Sequence, residues 1–140
     1  MAVLYTTKVR VHGGRSGKAV SEDGQLSLSL VPPKELSPTR QGVNPEQLFA
    51  AGYAACFESS IRGAARRAGK SITDSSVEAT VSLTSLDTGG FALEVILDVE
   101  IAGLTQSEAQ ELANMAHQVI CPYSNAVRGN IDVRLNVVAK

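Results

Sequence analysis

From Leu48 to Cys56 the chain reads Leu-Phe-Ala-Ala-Gly-Tyr-Ala-Ala-Cys, uncharged and apolar or small on nearly every helical face. The residues before it open a helix: Asn44 is a good N-cap, Pro45 suits the first helical position, and Gln47 completes a capping-box-like pattern. A helix that is apolar all round has to be buried all round. In a chain of 140 residues that demands cover from sheets or from a second subunit. Arg62, Arg66 and Arg67 give the helix a polar end that emerges into solvent before Gly69 stops it.

The remaining segments supply sheets. Val3, Tyr5, Thr7, Val9 and Val11 alternate with a more polar set and predict a half-buried strand. Gly13, Gly14 and Gly17 loosen the backbone around Arg15. Next come a strand at Lys18 to Val20, a turn at Glu22-Asp23-Gly24 and a return strand through Leu26, Leu28 and Leu30. Pro32, Pro33 and Pro38 mark a loop. After the helix, Val77 to Leu83 and Phe91 to Ile101 alternate on either side of Asp87-Thr88-Gly89-Gly90, a second hairpin. Thr105 with Glu108 is a capping box for a second helix. Its buried stripe is Ala109, Leu112, Ala113, Ala116, Val119 and Ile120. Pro122 restarts it, and Ile131 to Val137 form the last strand. The expected class is α+β with antiparallel sheets, in one domain over residues 1–140.

Composition narrows the function. Net charge is −1 and the Lys and Arg residues form no basic stripe, which argues against nucleic acid and anionic membrane as partners. No stretch reaches the ~18 apolar residues of a membrane span. Met1 to Val11 lacks the apolar core of a signal peptide, so the expectation is a cytoplasmic protein. In a reducing compartment Cys56 and Cys121 are a redox pair or two inert thiols rather than a permanent disulfide.

Several chemistries lack their residues. Gly13 to Lys18 does not have phosphate-loop spacing, and Ala19 stands where a hydroxyl is required. There is no C-x-x-C or H-x-x-x-H pair, so no metal or other cofactor is expected. His117 reads as a surface or packing residue. No nucleophile elbow surrounds Ser59 or Ser60. The cysteines remain. Cys56 lies in an apolar helix, a setting that makes a thiol inert unless a cation is near, and Arg15 is the candidate cation. Cys121 precedes Pro122 and sits near the start of a short helix, which also favours a thiolate. On physical grounds either cysteine can attack first. Glu46 is ten residues from Cys56, ~15 Å of helical rise, so the two cannot touch within one straight helix.

Three blocks carry a resemblance. They are His12-Gly13-Gly14-Arg15-Ser16-Gly17, the run Asn44 to Phe57, and Cys121-Pro122-Tyr123-Ser124-Asn125-Ala126 with Arg128-Gly129-Asn130-Ile131 just beyond it. In this order they resemble the organic hydroperoxide resistance (Ohr) branch of the OsmC/Ohr superfamily over essentially the whole chain. The resemblance implies an intertwined α+β homodimer with two buried central helices wrapped by sheets from both chains. It implies that Cys56 is the peroxidatic cysteine and Cys121 the resolving one. It matches Arg15 and Glu46 to the pair that activates and orients the thiolate. It further implies organic or fatty-acid hydroperoxides as substrates, and dihydrolipoamide of lipoylated proteins as reductant. An osmotically induced OsmC-type peroxidase and a ligand-binding dimer with inert thiols are the competing readings.

Overall fold

The computed structural model describes residues 1–140. Its contacts group the chain into two compact units, Met1–Leu48 and Phe49–Lys140.

In Met1–Leu48, β1 (Val9–His12), β2 (Lys18–Ser21) and β3 (Ser27–Ser29) form an antiparallel meander. The turn between β2 and β3 is held by Ser21 and Asp23. The Ser21 hydroxyl donates to Asp23 Oδ1 at 2.6 Å and accepts from the Leu26 N–H at 2.9 Å. The strand expected from Val3 to Val11 starts only at Val9, and Val3, Leu4 and Tyr5 stand 85%, 95% and 79% exposed. Alternation marks a strand that can be half buried, and within one chain these residues find no neighbouring strand. Asn44 caps helix α1 (Pro45–Arg67) as expected. Its Oδ1 accepts from the Gln47 N–H at 2.8 Å, and Gln47 Oε1 accepts from the Asn44 N–H at 3.1 Å.

In Phe49–Lys140, α1 ends at a reversed turn in which Gly69 has φ +66° and the Lys70 N–H reaches back to the Ala65 carbonyl at 2.9 Å. β4 (Asp74–Ser85) and β5 (Phe91–Ala102) then form the long hairpin, with Asp74 opposite Ala102 and Ser85 opposite Phe91. Val95, Leu97, Val99 and Ile101 of β5 are buried against Tyr53, Phe57 and Ile61 of α1. Helix α2 (Gln106–Met115) begins at the Thr105–Glu108 capping box. A π turn (Ala116–Ile120), helix α3 (Pro122–Val127) and strand β6 (Val133–Ala139) complete the unit. No helix is long and apolar enough to cross a membrane.

Further expectations need correction. The sheets are not antiparallel throughout: β6 runs parallel to β5, with Val95 opposite Val133 and Ile101 opposite Ala139. A hairpin reverses a strand, but the chain between β5 and β6 passes through helices and returns to the starting edge, which sets the two strands in the same sense. The buried stripe of α2 holds for Ala109, Leu112, Ala113 and Ala116, but Val119 is 59% exposed. The π turn adds a residue per turn and rotates the next side chains off the buried face. Within the chain α1 is buried along one face, while Ala51 and Ala55 on another are exposed.

The start of α2 also fixes an acid response. The Lys70 ammonium, together with the N–H and hydroxyl of Thr105, holds the Glu108 carboxyl down to about 2 from its ordinary 4.5. The folded state therefore binds that proton less readily than the unfolded one. Its contribution to stability is present above pH 4.5 and is lost as pH falls towards about 2. Thermal melts of the wild type should lose more stability across that interval than melts of Glu108→Gln, and parallel losses would remove the effect.

Candidate active site

Cys56 and Cys121 meet. Cys56 lies on α1, and Cys121 closes the π turn, its N–H donating to the Ala116 carbonyl at 2.8 Å. Pro122 forbids Cys121 helical geometry and it takes φ −68°, ψ 116°, which aims the chain into α3. The two sulfurs are 3.7 Å apart and both are free thiols. Cys121 is fully buried, whereas Cys56 is half-buried. Cys56 opens onto a cleft of about 480 Å³ whose walls include Ser60, Gly63, Arg66, Ile120 and Pro122.

Electrostatics in this setting oppose ionisation. Burial pushes the Cys56 thiol up, the Tyr123 backbone N–H pulls it down, and the neighbouring Cys121 pushes it up again. Desolvation disfavours a thiolate and a second sulfur competes for the same charge.

Arg15 and Glu46 meet each other within Met1–Leu48. Arg15 sits in a single turn of 3-10 helix (Gly14–Ser16) reached through Gly13 at φ +86°. Gly17 closes this loop so tightly that a Cβ there would lie 1.7 Å from the His12 carbonyl oxygen. Both ends of the Arg15 guanidinium donate to Glu46, Nη1 to Oε2 at 2.9 Å and Nη2 to Oε1 at 2.7 Å. This is the forked geometry that holds an arginine in one orientation. The bonds raise the Arg15 pKa and lower that of Glu46, so both stay charged. Of the four expected site residues, the structure thus pairs Arg15 with Glu46 and Cys56 with Cys121.

The sequence alone did not disclose a polar chain beside the thiols. The Tyr53 hydroxyl bonds Ser124 Oγ at 2.7 Å, and Ser124 Oγ bonds His117 Nδ1 at 2.8 Å. Tyr53 and Ser124 are fully buried. His117, expected as a surface or packing residue, is half-buried and hydrogen-bonds the buried Ser124 hydroxyl. The usable signal was position: Tyr53 lies three residues before Cys56, and Ser124 three after Cys121. Aromatic rings gather here as well, with Phe49 and Tyr53 at 6.1 Å and 5.7 Å from the Tyr123 ring.

Gly52 makes room for that ring, because a Cβ on it would lie 2.4 Å from the Tyr123 hydroxyl. Gly52→Ala gains up to ~1 kcal/mol of helix propensity but displaces Tyr123, whose N–H faces Cys56. We expect a melting temperature little changed, with the reactivity of the Cys56 thiol towards an alkylating reagent altered about tenfold. Equal reactivity of the two proteins would show that the ring swings aside freely.

Comparisons with known proteins identify the family. The model of the OsmC-like protein family matches residues 38–136. The organic hydroperoxide resistance protein OhrB of Bacillus subtilis (strain 168) is 46% identical over 135 residues, covering 96% of this chain and 98% of that protein. The crystal structure of an organic hydroperoxide resistance protein OsmC from Legionella pneumophila gives a TM-score of 0.90 at 51% identity, over 97% of this chain and 98% of that one. That of an organic hydroperoxide resistance protein from Elizabethkingia anophelis gives 0.92 at 44% identity, over 100% of both chains. The chain belongs to the organic hydroperoxide resistance branch of the OsmC/Ohr family.

Proposed function

We propose that this protein is a cysteine-based peroxidase that reduces organic hydroperoxides, alkyl and fatty-acid, to alcohols in defence against oxidative stress. The observation that carries the reading is the pair of free thiols 3.7 Å apart, one open to a cleft and the other buried. Accessibility supports the first attack by Cys56, since a hydroperoxide reaches the open sulfur before the covered one. The Cys56 thiolate attacks the outer peroxide oxygen, the O–O bond breaks, and the alkoxide takes a proton and leaves as alcohol. Cys56 is then a sulfenic acid. The Cys121 thiol displaces its oxygen as water and a disulfide forms. An external dithiol, with dihydrolipoamide as the class the family resemblance implies, reduces that disulfide by exchange.

Arg15 supplies the positive charge that lowers the Cys56 thiol and meets the peroxide, and Glu46 orients Arg15. Both roles rest on the family resemblance and fit the forked bond between the two side chains. Arg15→Met should shift the pH rise of the first turnover to higher pH. An unchanged profile would take Arg15 out of the reaction. Residues 1–140 act as one cytoplasmic domain that works as an intertwined homodimer. The bare Val3, Leu4 and Tyr5 and the exposed Ala51 and Ala55 on α1 favour cover by a second copy. Sedimentation at the monomer mass would refute the dimer.

One equivalent of cumene hydroperoxide tests the chemistry. Mass spectrometry should find a Cys56–Cys121 disulfide after a single turnover. Intact thiols with no disulfide would leave a ligand-binding dimer as the better reading.

A further inference from the structure

The chain of hydrogen bonds through Ser124 has no role in the proposed steps, yet two of its members each lie three residues from a cysteine. Tyr53 precedes Cys56 by three residues on α1, and Ser124 comes three after Cys121 on α3. Tyr53 and Cys56, three apart, share a face of α1, and Cys121 is the extended residue that leads into α3, where Ser124 lies. The Tyr53–Ser124 bond therefore joins the two helices next to the two thiols, which in the reduced protein share no covalent link. His117, in the π turn that leads into Cys121, takes the other side of Ser124. Arg128, at the end of α3, donates to the His117 carbonyl at 2.6 Å and to Asn125 Oδ1 at 2.8 Å. The segment carrying Cys121 is thus tied at both ends.

We propose that Tyr53, Ser124 and His117 are positioning residues for disulfide closure, holding the α1 turn of Cys56 and the extended Cys121 that leads into α3 at the spacing from which the sulfurs can join. The inference rests on the reading of these cysteines as the reacting pair. The sulfurs stand at 3.7 Å, and a disulfide needs ~2.05 Å with a restricted torsion. Small errors of placement of ~1 Å can slow such a step by ~10²-fold.

The bonding is directional. Ser124 has one hydroxyl proton. If it goes to His117 Nδ1, the Tyr53 O–H donates to Ser124 and both hydroxyl protons are used, with the imidazole neutral and its proton on Nε2. If His117 is protonated, Nδ1–H donates to Ser124, and the two remaining hydroxyl protons share one bond, so either Ser124 or the buried Tyr53 loses its acceptor. The titratable and charged groups facing the chain are Arg128 beyond α3, Cys121 at its head, and Cys56 and Tyr53 itself on α1. Burial and the Arg128 charge both push His117 down and keep it neutral. The clamp accordingly holds at neutral pH and loosens in acid.

The test monitors one turnover of the full-length protein with cumene hydroperoxide, trapping thiols at intervals with an alkylating reagent. Mass spectrometry then gives the rate of disulfide closure relative to sulfenic acid formation. Ser124→Ala and the near-isosteric Tyr53→Phe should lower that ratio about tenfold and divert Cys56 to sulfinic acid. His117→Asn keeps an acceptor near the Nδ1 position that does not titrate. It should close normally at neutral pH and lack the extra acid fall of the wild type. Should Ser124→Ala fail to fold, the His117→Asn pH comparison decides. Wild-type closure ratios in Ser124→Ala and Tyr53→Phe, or identical acid limbs in wild type and His117→Asn, overturn the positioning role alone. A wild type that forms no disulfide overturns the peroxidase reading along with it.

Discussion

Cys56→Ser is expected to abolish consumption of organic hydroperoxide, by roughly a thousandfold or more, down to the uncatalysed background. On the proposed mechanism a thiolate attacks, and a serine hydroxyl at the same place ionises far too weakly to replace it. The cost to the fold should be small, since the exchange is nearly isosteric and Cys56 is half-buried rather than sealed in the core. A hydroperoxide-consumption assay beside a thermal melt separates the two effects: activity disappears while the melting temperature moves by little. Retained turnover would mean that Cys121, despite its full burial, reaches the peroxide first.

Legibility in the sequence divides by range. The capping boxes at Asn44–Gln47 and Thr105–Glu108 are contacts between residues three apart, and both form as expected. The β4–β5 hairpin likewise arises from alternation and one glycine-rich turn, with Val95, Leu97, Val99 and Ile101 on its buried side. The direction of β6 is different in kind. Its own residues alternate identically whether it runs with or against β5, so only the path of the intervening helices decides. The segment before Val9 shows the same limit, because alternation predicts a face but not a neighbour to cover it.

At the site, the cysteines stood out as the only two in the chain, and the three motif blocks drew Arg15 and Glu46 beside them. Tyr53 did not stand out. It lies inside the apolar run, where its ring accounts for its presence and its hydroxyl goes unnoticed. Its partner Ser124 is 71 residues away. Nothing local marks which of many serines will be buried, and His117 could be given a role only once Ser124 was placed beside it. Burial also separated the cysteines: local signals favour either as a thiolate, while only the packed structure shows that one faces a cleft and the other does not.

Cys121→Ser should spare the first encounter with peroxide and ruin the later steps of the cycle. Cys121 raises the Cys56 thiol through its charge and the hydrogen bond between the two sulfurs, so removing it lowers that pKa and leaves the first attack at least as fast at a given pH. The sulfenic acid formed then has no sulfur within reach, since the chain holds no third cysteine. Further peroxide carries Cys56 to the sulfinic acid, which ordinary thiols do not reverse. Steady-state turnover with a dithiol should therefore fall at least tenfold and decay with each cycle, with Cys56 over-oxidised in the mass spectrum. The new hydroxyl enters a fully buried position and costs ~1–3 kcal/mol if it finds no partner, so the melt should fall by a few degrees while the variant still folds. Should Cys121→Ser instead stop the first turnover while Cys56→Ser allows it, the two sulfurs have exchanged roles. The buried cysteine would then be the nucleophile, and the structure would have to open to admit its substrate.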